Sequence, residues 1–445
     1  MTVLILGGAL GPIGLGVLYD LPPHDEGGRM ESFDVAIVGG GLGGSALGGC
    51  LARAGLDVVV LERLTAFSDR VRGEWMAPWG AAELKKLGLY ERFITNGGHH
   101  LATHIAYDEL LTPDEAEARA FSFGGLHPDV PGPLCMEHVA MQDQALAQAI
   151  EAGVDVRRGV SKVEVTAGEQ PRVLFEHDGA RCEAACRLIV GADGRTSAVR
   201  RQLGIRMEEA PIDHLIAGLL VDGAEGWPED LQTIGKCGDI HYLVFPQGGG
   251  KIRIYADYAY SGEARFNGDE GAQELLAAFD MEPVPHSDAV ANARPIGPCR
   301  SFPSQDAWVD EPCVEGAVLI GDAAGYNDPI LGQGLSMTLR DARMVGELMT
   351  QNDAWRTSLF EPYVDERRER LRRLRYLASF VTTLNARFGP EDLERRAVAF
   401  QRMADNPTLG MVYLAAFTGP ESLPAECFTE DFYASVFGTT EHLVR

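Results

Sequence analysis

Apolar and polar positions follow three different rhythms along this chain. In the first, FDVAIV (Phe33–Val38) and DVVVLE (Asp57–Glu62) are short, nearly continuous apolar runs. Runs of this kind predict strands covered on both faces, as in a parallel sheet. Between them SALGGCLARAG places small and apolar residues at helical intervals and ends at Gly55, a helix-stop signal. RLIVG (Arg187–Gly191) and GAVLIG (Gly316–Gly321) repeat the buried-strand pattern, and the second leads into a long amphipathic helix reaching Met349. The second rhythm lies between Met207 and about Phe302. There LIAGLLV, IHYLVF and KIRIYADY read as half-buried strands joined by Gly-rich turns, with PQGGGK (Pro246–Lys251) as a hairpin turn. The third begins at Ser358, where the pattern turns helical and is punctuated by Pro390, Pro407, Pro420 and Pro424. Within it RRERLRRLR (Arg367–Arg375) carries Leu at helical spacing and predicts a solvated basic face.

The leading residues fit none of these rhythms. Val3–Leu21 is apolar and uncharged until Asp20, but five glycines and Pro12 interrupt it. It has neither the basic start and cleavage site of a secretory signal nor the unbroken apolar length of a membrane span. Residues 1–29 are therefore expected to be a poorly anchored extension upstream of Met30.

The first buried strand is followed at once by Gly39, Gly41, Gly43 and Gly44 in a GxGxxG arrangement, then by the helix, then by the second strand ending in Glu62. Strand, glycine loop, helix, strand and acid within about 30 residues form the dinucleotide fingerprint. Gly39 allows the tight turn, Gly41 lets the backbone approach a pyrophosphate, and Gly44 allows close helix–strand packing. The helix N-terminus faces the phosphates, and Glu62 can accept from a ribose diol. Arg63 follows as a further candidate contact.

Two later segments extend the pattern. Asp193–Gly194 lies in a Gly-Ala-Asp-Gly turn after the third buried strand, and Gly321–Asp322 closes the fourth. With GxGxxG these form an ordered set that resembles the group A flavoprotein monooxygenases, the family of p-hydroxybenzoate hydroxylase, over about Phe33 to Met349. The resemblance implies an α/β fold: a Rossmann-like FAD-binding domain interrupted by a mainly antiparallel β substrate domain, with a C-terminal helical region. The implied division is 30–100, 132–207 and 305–350 for FAD, 101–131 and 208–304 for substrate, and 351–445 for the helical region. It implies FAD contacts at Arg72, Gln142, Asp193 and Asp322, and at Pro329, Gly332, Gly334 and Leu335 around the flavin ring. Gly321 belongs to the same motif. Leu335 and Ser336 stand where many hydroxylases have a different pair, so the ring contacts there depart from the family. Trp75 and Trp79 are open between lining the site and packing the core, and Asn327–Asp328 reads as a turn before proline. His99–His100 reads as a surface turn.

The implied reaction uses NAD(P)H to reduce FAD and O2 to form a flavin C4a-hydroperoxide, which gives one oxygen atom to an aromatic or polyketide-like molecule. Hydroxylation is favoured. A reductase or dehydrogenase, a halogenase-related enzyme and a non-catalytic escort protein of the same fold remain as alternatives. No residue is identified as catalytic, and no metal site is expected.

Composition changes this picture in two places. With 65 acidic against 39 basic residues the formal charge is -26, which argues against nucleic acid and against firm membrane association. Anionic FAD and NAD(P)H must then meet a local positive pocket inside an acidic shell. The eight cysteines lack zinc-like spacing and are expected as free thiols in a cytoplasmic monomer or homodimer.

Overall fold

The computed structural model describes residues 30–444, so the leading extension lies outside the described residues. The continuous apolar runs assemble into one six-stranded sheet. Its order is Cys313–Val314, Ala317–Leu319, Leu188–Gly191, Val35–Val38, Val58–Glu62 and Asp155–Arg158. All neighbours are parallel except the Cys313–Val314 edge. Alternate side chains enter different cores, which explains why the runs show no polar face. Val35, Ile37, Val58 and Val60 pack towards the helices Leu42–Arg53, His138–Glu151 and Gly334–Thr350. Ala36, Val38, Val59 and Leu61 pack on a four-stranded sheet through Val173, Phe175 and Ala184. Each such fully buried aliphatic side chain contributes about 1.5–3 kcal/mol.

The second rhythm forms an eight-stranded sheet. At its centre His214–Asp222, Lys251–Ala259, Ile240–Gly248 and Leu231–Cys237 run antiparallel to their neighbours. PQGGGK is the hairpin, with Gly248, Gly249 and Gly250 all at positive φ. Thr103–Ile105 and Phe121–Ser122 extend one edge. Period-two alternation again separates two cores. Leu219, Val244, Ile254 and Ala256 face the helix Gly268–Ala278, whereas Ile216, Leu243, Phe245 and Tyr255 face the C-terminal region.

The C-terminal helices Glu361–Asn385, Pro390–Asp405 and Glu430–Phe437 close over that second face, with Phe380 packed between Tyr413, Tyr433 and Phe437. The basic run does not form a solvated face. Arg367 is 1% and Arg370 3% exposed, because both guanidinium groups reach inward to Asp341, while Arg368 stays at the surface. His99–His100 is not a turn but a short strand paired with Leu134–Cys135, its backbone demand met by the chain that re-enters there. All eight cysteines are free. Among the described residues no helix is long and apolar enough to cross a membrane.

Candidate functional site

A cavity of about 1250 Å³ opens at the C-terminal ends of the parallel strands and continues to the face of the eight-stranded sheet. Every site residue singled out in the sequence borders it except Gly44, which lies just beneath. Gly39 has φ +107°, and a Cβ there would stand 2.3 Å from the Ala192 carbonyl oxygen. A Cβ on Gly44 would stand 2.0 Å from the Gly39 carbonyl oxygen. The glycine loop therefore exists only because these side chains are absent, and it leaves the N-terminus of the helix Leu42–Arg53 facing the cavity.

The polar groups around this end have distinct duties. Glu62 accepts from the Gly40 amide at 2.7 Å and the Leu64 amide at 2.8 Å, which fixes the carboxylate at the cavity wall. Gln142 is buried beside Gly41, and its Oε1 has no hydrogen-bond partner. Asp193 serves its own helix: it accepts from the amides of Ala198 at 2.6 Å and Val199 at 3.1 Å, and from the Ser197 hydroxyl. The Asp193 turn borders the cavity while its carboxylate acts as a helix cap. Arg72 forms no ion pair among the described residues and stacks 5.3 Å from the Phe302 ring. Burial and the neighbouring Arg195 hold its guanidinium below the usual arginine value. Arg63, Arg70 and Arg195 border the same space, and Arg195 lies 3.6 Å from the Tyr326 ring centroid. A positive lining thus exists within the acidic shell.

On the opposite wall, Gly321 through Gly325 is held by the run that the sequence predicted to be solvated. Arg367 donates to the carbonyls of Ala324 at 2.8 Å, Gly325 at 3.1 Å and Gly321 at 3.2 Å, and pairs with Asp341 at 3.0 Å. Asp341 in turn accepts from the Gly321 amide at 2.8 Å and pairs with Arg370 at 2.7 Å. The loop presents Asp322 and Pro329 to the cavity, and Gly332, Gly334 and Leu335 follow at the start of the next helix. Gly332 sits at φ +66°, against the Trp75 ring. The two tryptophans separate: Trp75 borders the cavity, whereas Trp79 is buried and donates to Gln333 Oε1 at 2.9 Å.

Beyond the loop the cavity becomes aromatic. Trp75 stacks on Phe245 at 5.7 Å and meets Phe417 edge-on at 6.2 Å, while Phe121 lies 5.7 Å from Phe417. His104 lies among these rings, and burial lowers its pKa to about 4, so it is neutral at pH 7 and contacts the Gln232 amide nitrogen at 3.2 Å. Phe400, Tyr413 and Phe417 border the chamber from the C-terminal region, where no site residue was expected. Sequence reasoning also missed His241, Tyr255 and Arg195. Their strands and turn were legible, but which face meets the cavity depends on how the sheet docks.

The profile of the family described as FAD binding domain matches residues 32–376. The chain belongs to this family. It is an FAD-dependent oxidoreductase of the group A monooxygenase family, and the donor set suits FAD: a loop that excludes Cβ atoms, an unpartnered Gln142 oxygen and an unpaired Arg72. Menaquinone reductase of Mycobacterium tuberculosis is 28% identical over 364 residues, covering 75% of this chain and 81% of that protein. Rifampicin monooxygenase of Streptomyces venezuelae is 27% identical over 342 residues, covering 75% of this chain and 68% of its own. The fold is that of p-nitrophenol 4-monooxygenase from Pseudomonas putida, with TM-score 0.73, 18% identity, and coverage of 88% and 99% of the two chains.

Proposed function

We propose that this FAD-binding protein is a monooxygenase that consumes NAD(P)H and O2 and inserts one oxygen atom into an aromatic or polyketide-like small molecule, with hydroxylation as the favoured outcome. The observation that carries this reading is the continuity of the cavity: the glycine loop and the aromatic chamber around Trp75, Phe245 and Phe417 share one space. Bound FAD, once reduced, supplies the activation of O2. The chain's own residues do the rest. Glu62, Gln142, Arg72 and Asp322 would hold and orient FAD, and the loop from Pro329 to Gly334 would border its ring. The C-terminal aromatic residues exclude water from the chamber, which protects a reactive oxygen species from wasteful loss.

The chamber favours an apolar, planar substrate, because its walls are rings and His104 among them is neutral. Incubation of FAD-loaded protein with NADH or NADPH across a phenol panel tests the reading. Substrate-stimulated oxidation with labelled oxygen from O2 in the product is the expected result, and turnover without label would reject it. A reductase is the second reading, favoured by the menaquinone reductase relative. Substrate conversion under strictly anaerobic conditions would select it.

A further inference from the structure

The segment Asp69–Glu74 brings Arg70 and Arg72 to the cavity in a conformation that its own residues do not favour. Val71 sits at φ +62°, and among the described non-glycine residues at positive φ it alone is β-branched. Such a residue is strained there and stays only where its surroundings over-determine it. Gly73 follows at φ +87°, its carbonyl oxygen 3.0 Å from His138 Nδ1. Val71 is fully buried, and the neighbouring sheet makes room for it. A Cβ on Gly218 would stand 2.8 Å from Val71 Cγ1 and 2.7 Å from the Tyr255 ring.

One guanidinium closes this arch. Arg253, on the strand Lys251–Ala259, is 1% exposed and stands behind the cavity wall. Its Nη2 donates to Asp69 Oδ2 at 2.9 Å and forms an ion pair with Glu74 Oε1 at 3.0 Å, so a single nitrogen meets both ends of the segment. Each carboxylate has a second hold. Asp69 Oδ1 accepts from the Val71 amide at 2.7 Å, and Glu74 Oε2 accepts from the Tyr255 hydroxyl. Arg253 Nε and Nη1 have no hydrogen-bond partner, so the connection runs through Nη2 alone. Between the tied ends, Arg72 forms no ion pair among the described residues and stacks on Phe302, whose strand pairs with the same sheet.

We propose that Arg253 is a positioning residue for FAD: by tying Asp69 to Glu74 it holds the strained arch closed and keeps the Arg72 guanidinium unpaired at the cavity. The proposal rests on the reading of Arg72 as an FAD-holding residue. Arg253 stands away from the cavity, so its effect on FAD passes through the arch. Its position is specific to that task, since the two residues it joins bracket both arginines and the backbone strain at Val71. Without this cation Asp69 and Glu74 repel each other across the space that Arg253 fills, and Val71 is free to relax to negative φ. The two carboxylates then compete with FAD for the guanidinium of Arg72.

The test measures the FAD Kd of the full-length holoprotein by dilution, from the fluorescence of released FAD, in a double-mutant cycle with Arg72→Ala. Arg253→Gln is expected to raise the Kd about tenfold when Arg72 is present and less than about twofold in the Arg72→Ala background. Because one nitrogen makes both contacts, a point charge can replace it, and Arg253→Lys should stay within about threefold of wild type. No change in Arg253→Gln, or equal increases with and without Arg72, overturns the proposal. So does an Arg253→Lys variant as weak as Arg253→Gln. An unchanged Kd in Arg72→Ala overturns the reading of Arg72 on which the proposal rests. Should Arg253→Gln fail to fold, Asp69→Asn, at a side chain 25% exposed, takes its place in the cycle. An effect that depends on Arg72 then supports the tie, and an additive one overturns it.

Discussion

A methyl group at Gly39 or Gly44 would occupy space already held by backbone carbonyls 2.3 Å and 2.0 Å away. Gly44→Ala is therefore expected to weaken FAD retention more than tenfold, since a backbone shift of even 1 Å disrupts close phosphate contacts. Flavin absorbance of the purified variant measures this. Arg72→Ala should leave the fold intact, because Arg72 pairs with no carboxylate among the described residues, and should raise the FAD Kd about 10- to 100-fold through loss of a charge-assisted contact. Equal FAD titration curves for wild type and R72A would remove Arg72 from the site. His104 gives a pH dependence with a definite sign. Its pKa is about 4 folded against 6.5 unfolded, so the unfolded chain binds more protons in that interval. Stability from this residue is complete above pH 6.5 and declines as pH falls towards 4, by at most about 3 kcal/mol. Between pH 7.5 and 5 the urea midpoint of wild type should fall further than that of His104→Phe.

At the scale of elements, the helix Glu361–Asn385 reads as an amphipathic surface helix but acts as a clamp on the loop Gly321–Gly325. Three carbonyls and Asp341 depend on Arg367. Arg367→Ala leaves Asp341 buried with Arg370 as its remaining cation and should destabilise the protein by about 3–5 kcal/mol. The variant should also lose FAD even where it remains folded, as read by thermal melts with and without added FAD. No pattern in RRERLRRLR announces this. Helical spacing specifies which residues share a face, but the face that meets a neighbour is chosen by docking. For the strands FDVAIV and DVVVLE the opposite holds: two covered faces leave the sequence no polar side to display, so their place in a buried parallel sheet is legible directly.

For the whole molecule, the charge of -26 surrounds a cavity whose lining includes Arg63, Arg70, Arg72 and Arg195. FAD approaches against the long-range field and is attracted only near the mouth. Since salt screens the distant repulsion first, the association rate of FAD with apoprotein should rise as ionic strength increases from about 10 to 150 mM. A rate that falls over this range in stopped-flow fluorescence would show that the local arginines dominate.

The sequence by itself determined the nucleotide end. The glycine loop, Glu62, the Gly-Ala-Asp-Gly turn and Gly321–Asp322 are each tied to the end of a predicted strand, and parallel strands of one sheet bring their C-terminal ends together. Such residues converge without knowledge of any other contact. Only the tertiary structure decided the rest. It turned Arg367 inward, committed the Asp193 carboxylate to a helix cap, and set Phe417 from the far end of the chain against Trp75 and Phe121. It also aligned His241, Asp257 and His214 on one face of a sheet whose two sides are both apolar in pattern. Long-range docking brings these groups together, and neither spacing nor periodicity along the chain encodes which covered face will meet a cavity.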